Sequence, residues 1–299
     1  MALQATRAAS RAAASRCLLL ALSHDELGVI VDGLADPLQP VVAVALSSTC
    51  LGLRTPLRAA LAVLKERHAR AVTLCRKLGT GFQTYSCAVL RDAEELDWWE
   101  RGLTTGDLAT LGMLLPKWLP RLRGLRLYGN CICDAGIQAL CAGMCRGAAP
   151  ALNYISLTLN HFGPAGAEAL AAALRTGAMP RLEKLVLGDI PIGNQGMAAL
   201  AAPLRKLPAL KQLYLYKCGI DDEGLASLFA NLGKDDFKAL SHLYLMDNTI
   251  TDVGVARLAA AIDAGGLPAL IWNNHVLCDN PVTEDAIKAV RDALRKRLQ

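Results

Sequence analysis

The sequence lacks the features that mark membrane proteins and most nucleic-acid-binding proteins. No apolar run approaches the roughly 18 residues that a membrane-spanning helix needs. Lys and Arg, 32 together, exceed Asp and Glu, 27 together, by only five, whereas a surface that binds the phosphate backbone is usually densely basic. We therefore expect a soluble protein whose partner is neither a membrane nor a nucleic acid.

A catalytic or cofactor-binding pattern is also missing. The five histidines lie in different segments, none at the spacing of a metal site or a catalytic triad, and no phosphate-binding glycine loop occurs. Four cysteines, Cys131, Cys133, Cys141 and Cys145, are close enough to suggest zinc. They fall where related segments carry Leu, Gly or Ala, which favours simple packing. We expect no enzyme, no cofactor and no metal.

The ten cysteines do not form an obvious disulfide framework, because the chain is far larger than proteins that depend on disulfides. We expect reduced thiols and a cytoplasmic location, with a nuclear location as one alternative. Organellar import is another, because residues 1–16 carry three arginines among Ala and Ser with no acidic residue, a composition typical of a transit peptide. A flexible tail over residues 1–20 is the interpretation that we favour.

The most prominent feature of the sequence is an internal repeat. The phrase Leu-x-x-Leu-x-Leu-x-x-Asn, or a close variant, occurs five times at nearly constant spacing, opening at Leu122, Leu152, Leu182, Leu210 and Leu240. Each copy is followed by an apolar triad at i, i+3 and i+7, which is one face of an amphipathic helix. Eroded copies flank the five, one marked by Ala93, Leu96 and Trp98, the other by Leu270, Leu277 and Asn280. The pattern predicts about seven units.

The two halves of each unit predict how the units pack. Alternating leucines place two side chains on one face of a short strand, and the triad gives a helix whose apolar stripe can cover them. Neither element buries its apolar face alone, so successive units stack. We expect an α/β fold over residues 93–299, a solenoid or horseshoe with a parallel inner sheet, outer helices and degenerate terminal units.

The repeat resembles the ribonuclease-inhibitor-like class of leucine-rich repeats across residues 93–299. In that class an Asn or Cys after each strand bonds neighbouring backbone groups in a ladder. Asn130, Asn160, Cys218 and Asn248 match this position, whereas Ile190 and Arg101 depart from it and place the ladder in doubt there. The resemblance implies a leucine-rich-repeat horseshoe that binds another protein.

Side chains between and beside the buried leucines of each phrase point to the concave face. Five of the six tyrosines lie at such positions. Tyrosine gives a large contact area with little entropy to lose, and it is enriched in binding hot spots. We hypothesise that the partner binds Trp99, Arg126, Tyr128, Tyr154, Tyr214, Tyr216, Tyr244 and Met246. The alternative is that tyrosine merely suits strands.

Residues 21–79 lack the repeat and predict a separate domain of three helices. A Ser-x-x-Glu capping box from Ser23 to Glu26 opens the first helix, and Thr55 and Pro56 start the third, which ends near Gly79. Residues 80–92 then form a linker.

This domain resembles an F-box, which docks substrate receptors onto the adaptor of cullin-RING ubiquitin ligases. The matching or nearby positions are Leu22, Asp25, Ile30, Leu34 and Leu53, although Ser23 replaces the family's Pro and Leu53 stands near its usual Trp. The resemblance implies a substrate receptor with these residues on the adaptor. One alternative is a free-standing binding protein or inhibitor in which the domain only caps the solenoid. Another is a regulator of the Ran-type GTPase-activating kind, which shares this repeat class.

Overall fold

A computed structural model describes residues 26–27, 30, 34–49, 57–79, 86–233, 235–273 and 276–297. These divide into two compact units, one ending at Arg91 and the other running from Asp92. The tail predicted over residues 1–20 and the capping Ser23 lie outside the described residues.

The first unit is helical where it is described. Helix α1 spans Val41–Thr49, α2 spans Arg58–Leu78 and α3 spans Cys87–Asp92. The end of α2 at Gly79 agrees with the prediction from sequence. A small core is formed by Leu27, Ala35, Ala43, Leu57 and Leu64.

Helix α3 lies inside the segment that we predicted to be a linker. Its first turn is capped by Ser86, whose Oγ accepts a hydrogen bond from the Val89 N–H (3.2 Å). Leu90 on this helix is fully buried. A cap and one buried apolar side chain therefore suffice for a helix that is too short to show a helical period in the sequence.

The second unit contains a six-stranded parallel sheet whose strands follow the chain order. Each strand is three residues long, and the strands are β1 (Glu95–Asp97), β2 (Gly124–Arg126), β3 (Tyr154–Ser156), β4 (Lys184–Val186), β5 (Gln212–Tyr214) and β6 (His242–Tyr244). The central residues of the strands, from Leu96 to Leu243, pair side by side. These apolar residues are at most 1% exposed, so they form one continuous core layer.

Seven helices of this unit belong to the repeats. They are α4 (Thr105–Trp118), α5 (Asp134–Ala142), α6 (Pro164–Arg175), α7 (Gly193–Arg205), α8 (Asp222–Phe229), α9 (Asp252–Asp263) and α10 (Glu284–Lys296). Several begin at a side-chain cap, such as Thr104, Asp221 and Thr251. Strand and helix alternate as predicted, which confirms the leucine-rich-repeat solenoid.

The last repeat continues the backbone hydrogen bonding of the sheet, although its described residues contain no strand. The Leu245 N–H donates to the Val276 carbonyl (2.8 Å), and the Asp247 N–H donates to the Cys278 carbonyl (3.0 Å). Leu270 and Leu277 are buried, as the eroded phrase predicts. The unit therefore covers the open edge of β6.

The asparagines after the strands form the ladder that the resemblance implies. The Asn130 Oδ1 accepts from the N–H groups of Arg101 (2.9 Å) and Leu103 (3.3 Å), while its Nδ2 donates to the Trp98 carbonyl (2.7 Å). Asn160, Asn248 and Asn280 make equivalent bonds. Arg101 takes part through its backbone N–H. The ladder therefore reaches the first repeat even though Arg101 replaces the asparagine of most other repeats.

A gap in this ladder lies beside Ile190, whose side chain has no polar atom. The Cys218 Sγ donates to the Leu187 carbonyl (3.0 Å) and so replaces one asparagine contact. The Ile192 N–H, however, donates to the carbonyl of Ile190 (2.8 Å), whereas the corresponding N–H of Ile132 donates to an asparagine side chain of the next unit.

Candidate protein-binding site

The side chains opposite the leucine core form three rows across the second unit, which we call the sheet face. The first row is Glu95, Gly124, Tyr154, Lys184, Gln212 and His242, and the second is Asp97, Arg126, Ser156, Val186, Tyr214 and Tyr244. The third row is aligned by backbone hydrogen bonds between neighbouring repeats just after the strands. It consists of Trp99, Tyr128, Thr158, Gly188, Tyr216 and Met246. Parallel pairing in register places equivalent residues of successive repeats side by side.

Cations and aromatic rings alternate across strands β2 to β5, and a second tyrosine follows on β6. The Arg126 Cζ lies 5.0 Å from the centre of the Tyr154 ring. Lys184 lies on the next strand and contacts two rings. Its Nζ is 5.3 Å from the centre of the Tyr154 ring and 4.7 Å from the centre of the Tyr214 ring. Tyr214 then stacks on Tyr244, with ring centres 4.2 Å apart and planes 16° apart. We call these five residues the aromatic–cation row.

Charge is distributed unevenly along the sheet face. The β1 end is acidic, with Glu95 and Asp97 exposed. Glu95 Oε2 accepts a hydrogen bond from Arg126 Nη1 at 2.7 Å, and this bond raises the pKa of the Arg126 guanidinium above its ordinary value. The negative charge at the β1 end is therefore partly neutralised by Arg126 of β2, and positive charge remains at Lys184 on β4.

Burial changes the ionisation of the tyrosines on β5. It raises the pKa of Tyr214 to about 12, and a hydrogen bond with Tyr244 acts in the same direction. Burial also raises the pKa of Tyr216, against the effect of a hydrogen bond with Thr158. Both hydroxyls therefore stay protonated at neutral pH, and the Tyr214 hydroxyl donates a hydrogen bond to the Gln212 Oε1 at 3.3 Å.

The third row contains two further arrangements. Trp99 and Tyr128 lie with ring centres 6.4 Å apart and tilted by 47°, and Trp99 is half exposed. The Tyr216 ring packs against Gly188, where an added Cβ atom would lie only 2.0 Å from the Tyr216 Cζ. Because Gly188 has no side chain, it leaves the space that the Tyr216 ring occupies.

All eight side chains predicted for the partner site lie on the sheet face, but they do not form a single cluster. Trp99 and Tyr128 form a pair at one end, and Tyr216 packs over Gly188 instead of joining Tyr214. Met246 lies in the third row beside Tyr216. The remaining four belong to the aromatic–cation row.

Sequence reasoning placed Lys184, Gly188 and His242 on the face but did not select them as site residues. Lys184 contacts the rings of two tyrosines, and Gly188 leaves space for the ring of a third. The His242 and Tyr244 rings are stacked with their centres 6.3 Å apart. One signal was available, since Lys184 occupies the same repeat position as Tyr154. Selection by residue type alone favoured tyrosine and passed over the lysine.

Of the predicted adaptor-binding residues, Leu22, Asp25 and Leu53 lie outside the described part of the chain. Ile30 and Leu34 are helical; Ile30 is partly buried, and Leu34 is 37% exposed.

The cysteine cluster suggested by spacing does not converge. Cys131, Cys133 and Cys145 are exposed, and Cys141 is buried, which raises its pKa to about 12. Among the residues that the structure describes, no group of three metal-binding side chains comes together. No helix in those ranges has the length and apolar character needed to cross a membrane.

Comparison with known proteins agrees with this repeat architecture. No curated protein matches the chain in sequence. The Leucine Rich repeat family matches residues 150–171, which contain β3 and most of α6, and residues 239–259, which contain β6 and much of α9. Both matches begin just before a strand and run into the following helix, so the chain carries leucine-rich repeats.

Proposed function

We propose that this protein is a binding scaffold that holds another protein on its sheet face. Repeat solenoids of this kind generally use an extended surface to bind partners. The observation that carries the proposal is the aromatic–cation row, which crosses five adjacent strands on the side opposite the core. Its members are only partly buried, so their rings are not required to fill the interior.

The competing explanation is that these tyrosines only stabilise the sheet. Cross-strand aromatic pairs contribute roughly 0.2–1 kcal/mol each, so a structural role predicts loss of stability and nothing more. A binding role predicts loss of affinity with little change in folding. The two explanations can therefore be separated by measuring both quantities on the same variants.

A random peptide library displayed on phage and selected against the full chain provides the probe. We expect selected peptides to bind the wild-type chain and to lose at least about tenfold in affinity with the double variant Tyr214→Ala and Tyr244→Ala. Val253→Ala on α9, which removes an exposed apolar side chain from the helical side, is the control. Peptide affinity that is unchanged in the double variant, with folding intact by circular dichroism, would refute the proposal.

The predicted receptor role in a cullin-RING ubiquitin ligase remains a second candidate. Its support within the described residues is Leu34, a large apolar side chain that is 37% exposed on the first unit. We expect the full chain to bind the purified adaptor and the Leu34→Asp variant to lose that binding. Val63→Asp places the same charge at another exposed site of this unit. If the full chain does not bind the adaptor, the role is excluded and the scaffold proposal is unaffected.

A further inference from the structure

Lys184 differs from the other cations in the strands or directly before them. Arg123 lies 3.8 Å from Glu94, Arg126 lies 2.7 Å from Glu95, and Lys211 lies 2.9 Å from Glu183. Among the described residues, no carboxylate oxygen lies within 4.0 Å of the Lys184 Nζ, the largest distance that counts as an ion pair. Its ammonium instead faces the rings of Tyr154 and Tyr214.

This environment prepares Lys184 to accept an anion. The two rings attract the ammonium through their π faces and occupy positions that water would otherwise take. Because ring faces cannot accept the ammonium's three hydrogen bonds as a carboxylate does, its donors are left for solvent or a ligand. A carboxylate placed above β4 would form charge-assisted hydrogen bonds with a side chain that is already held in position.

The surrounding charges limit what kind of anion fits. Asp97 is exposed on β1, while Asp189 and Asp247 each lie three residues after the end of a strand, β4 and β6 respectively. These carboxylates repel an extended polyanion such as a nucleic acid, whose charges would fall on them as well as on Lys184. A protein segment that carries one or two acidic side chains avoids this repulsion, because the rest of the segment can be neutral or basic.

We propose that the partner presents an Asp or Glu side chain to Lys184, between Tyr154 and Tyr214. This inference rests on the proposed function and names the chemistry of the partner. The acidic side chain sets the position of the bound segment, and the aromatic rings on either side contact the residues next to it.

The test uses the full chain with two substitutions at one position. We expect peptides selected by the wild type to share an Asp or Glu residue, and their affinity to fall about tenfold or more with Lys184→Met, which keeps the length of the side chain and removes its charge. Selection against Lys184→Glu should enrich Lys and Arg in place of acidic residues. Lys211→Met, which removes a cation already paired with Glu183, should leave peptide affinity unchanged.

The outcomes separate this inference from the function on which it rests. Peptides that lack acidic residues, bind Lys184→Met as tightly as wild type and lose affinity with the Tyr214 and Tyr244 double variant would overturn the inference alone. Peptides insensitive to that double variant, or failure to select any, would overturn both. Tight binding of a fluorescein-labelled twelve-nucleotide oligo-dT, weakened by Lys184→Met, would assign the row to nucleic acid instead.

Discussion

At the scale of single residues, the same turn of each of the seven repeats has a left-handed backbone, and only one repeat has a glycine there. The positions are Glu100, Gly129, Leu159, Asp189, Lys217, Asp247 and Asp279, with φ between 50° and 66°. Asp tolerates this conformation better than most residues do. Leu159 gains no such local compensation, and 40% of it is exposed.

Leu159→Gly should therefore stabilise the protein. A left-handed residue other than glycine costs about 1–2 kcal/mol, part of which is offset by the greater freedom of glycine in the unfolded chain. We expect the free energy of unfolding in urea to rise by about 0.5–1 kcal/mol. Leu159→Ala keeps the strain and removes most of the side chain, so it should not be stabilising. An equal gain in both variants would contradict the role of the backbone.

Gly188→Ala should act through Tyr216. The new Cβ would occupy the space of the Tyr216 ring, so the ring must swing away while the backbone stays in place. We expect weaker binding of the selected peptides and a change in unfolding free energy within about 1 kcal/mol. In a double-mutant cycle, the effect on affinity should disappear in a Tyr216→Ala background. An effect that persists there would show that Gly188 acts by another route.

Asp236 makes stability depend on pH at low pH. It is 5% exposed, and burial opposes its ionisation, but hydrogen bonds from Lys206 and from the Gly233 N–H outweigh burial and lower its pKa. Since the folded pKa is below the unfolded value, the stabilisation is present above pH of about 4 and is lost as pH falls further. Asp236→Asn should lower the unfolding free energy at pH 6, and the difference from wild type should shrink at pH 3. A constant difference would rule out this linkage.

At the scale of elements, two neighbouring helices approach so closely that only glycine fits between them. A Cβ on Gly112 in α4 would lie 2.3 Å from the Leu140 carbonyl oxygen in α5, and a Cβ on Gly143 would lie 2.3 Å from the Gly112 carbonyl oxygen. Backbone atoms cannot move aside as a side chain can. The spacing between α4 and α5 is therefore set by these two glycines.

Gly112→Ala should force these helices apart and lower the free energy of unfolding by about 1–3 kcal/mol. Gly106→Ala in the same helix is the matched control, because its Cβ would meet nothing nearer than the Thr104 Oγ1 at 3.7 Å. Alanine is the better helix former, so this control should be neutral or stabilising by up to about 1 kcal/mol. Similar effects of the two changes in urea unfolding would contradict the close approach.

A second ladder connects the starts of successive repeat helices. The Asp134 Oδ1 accepts from the N–H groups of Gly163 (2.8 Å) and Gly166 (2.7 Å) at the start of α6. Asp222 makes the same kind of contact with Thr251 and Gly254 at the start of α9. A carboxylate from one repeat therefore caps the helix of the next, where helix N–H groups lack partners of their own.

At the scale of the whole molecule, the sheet, both ladders and the leucine core lie within the unit that begins at Asp92. We therefore expect a chain that lacks residues 1–91 to unfold cooperatively and to bind the selected peptides with wild-type affinity. Circular dichroism during thermal unfolding and peptide titration would measure the two properties. Loss of folding would instead support the alternative in which the first unit is a cap that the solenoid requires.

The sequence alone determined the repeat, the identity of the buried leucines and the side chains that reach the sheet face. A nearly constant period with two alternating leucines in each copy allows few other ways to bury its apolar atoms, which is why the solenoid was predictable. The helix over Cys87–Asp92 was not, because a single buried leucine in so short a segment carries no period.

Only the tertiary structure decided which side chains of the face touch one another. Tyr154, Lys184 and Tyr214 come from three successive repeats, and Gly188 and Tyr216 come from two. Their contacts depend on strand register and on the rotamer that each side chain adopts among its neighbours. A repeat pattern places such residues on one surface, but the choice between a ring that stacks, a ring that covers a glycine and a ring that holds an ammonium is made by packing across strands.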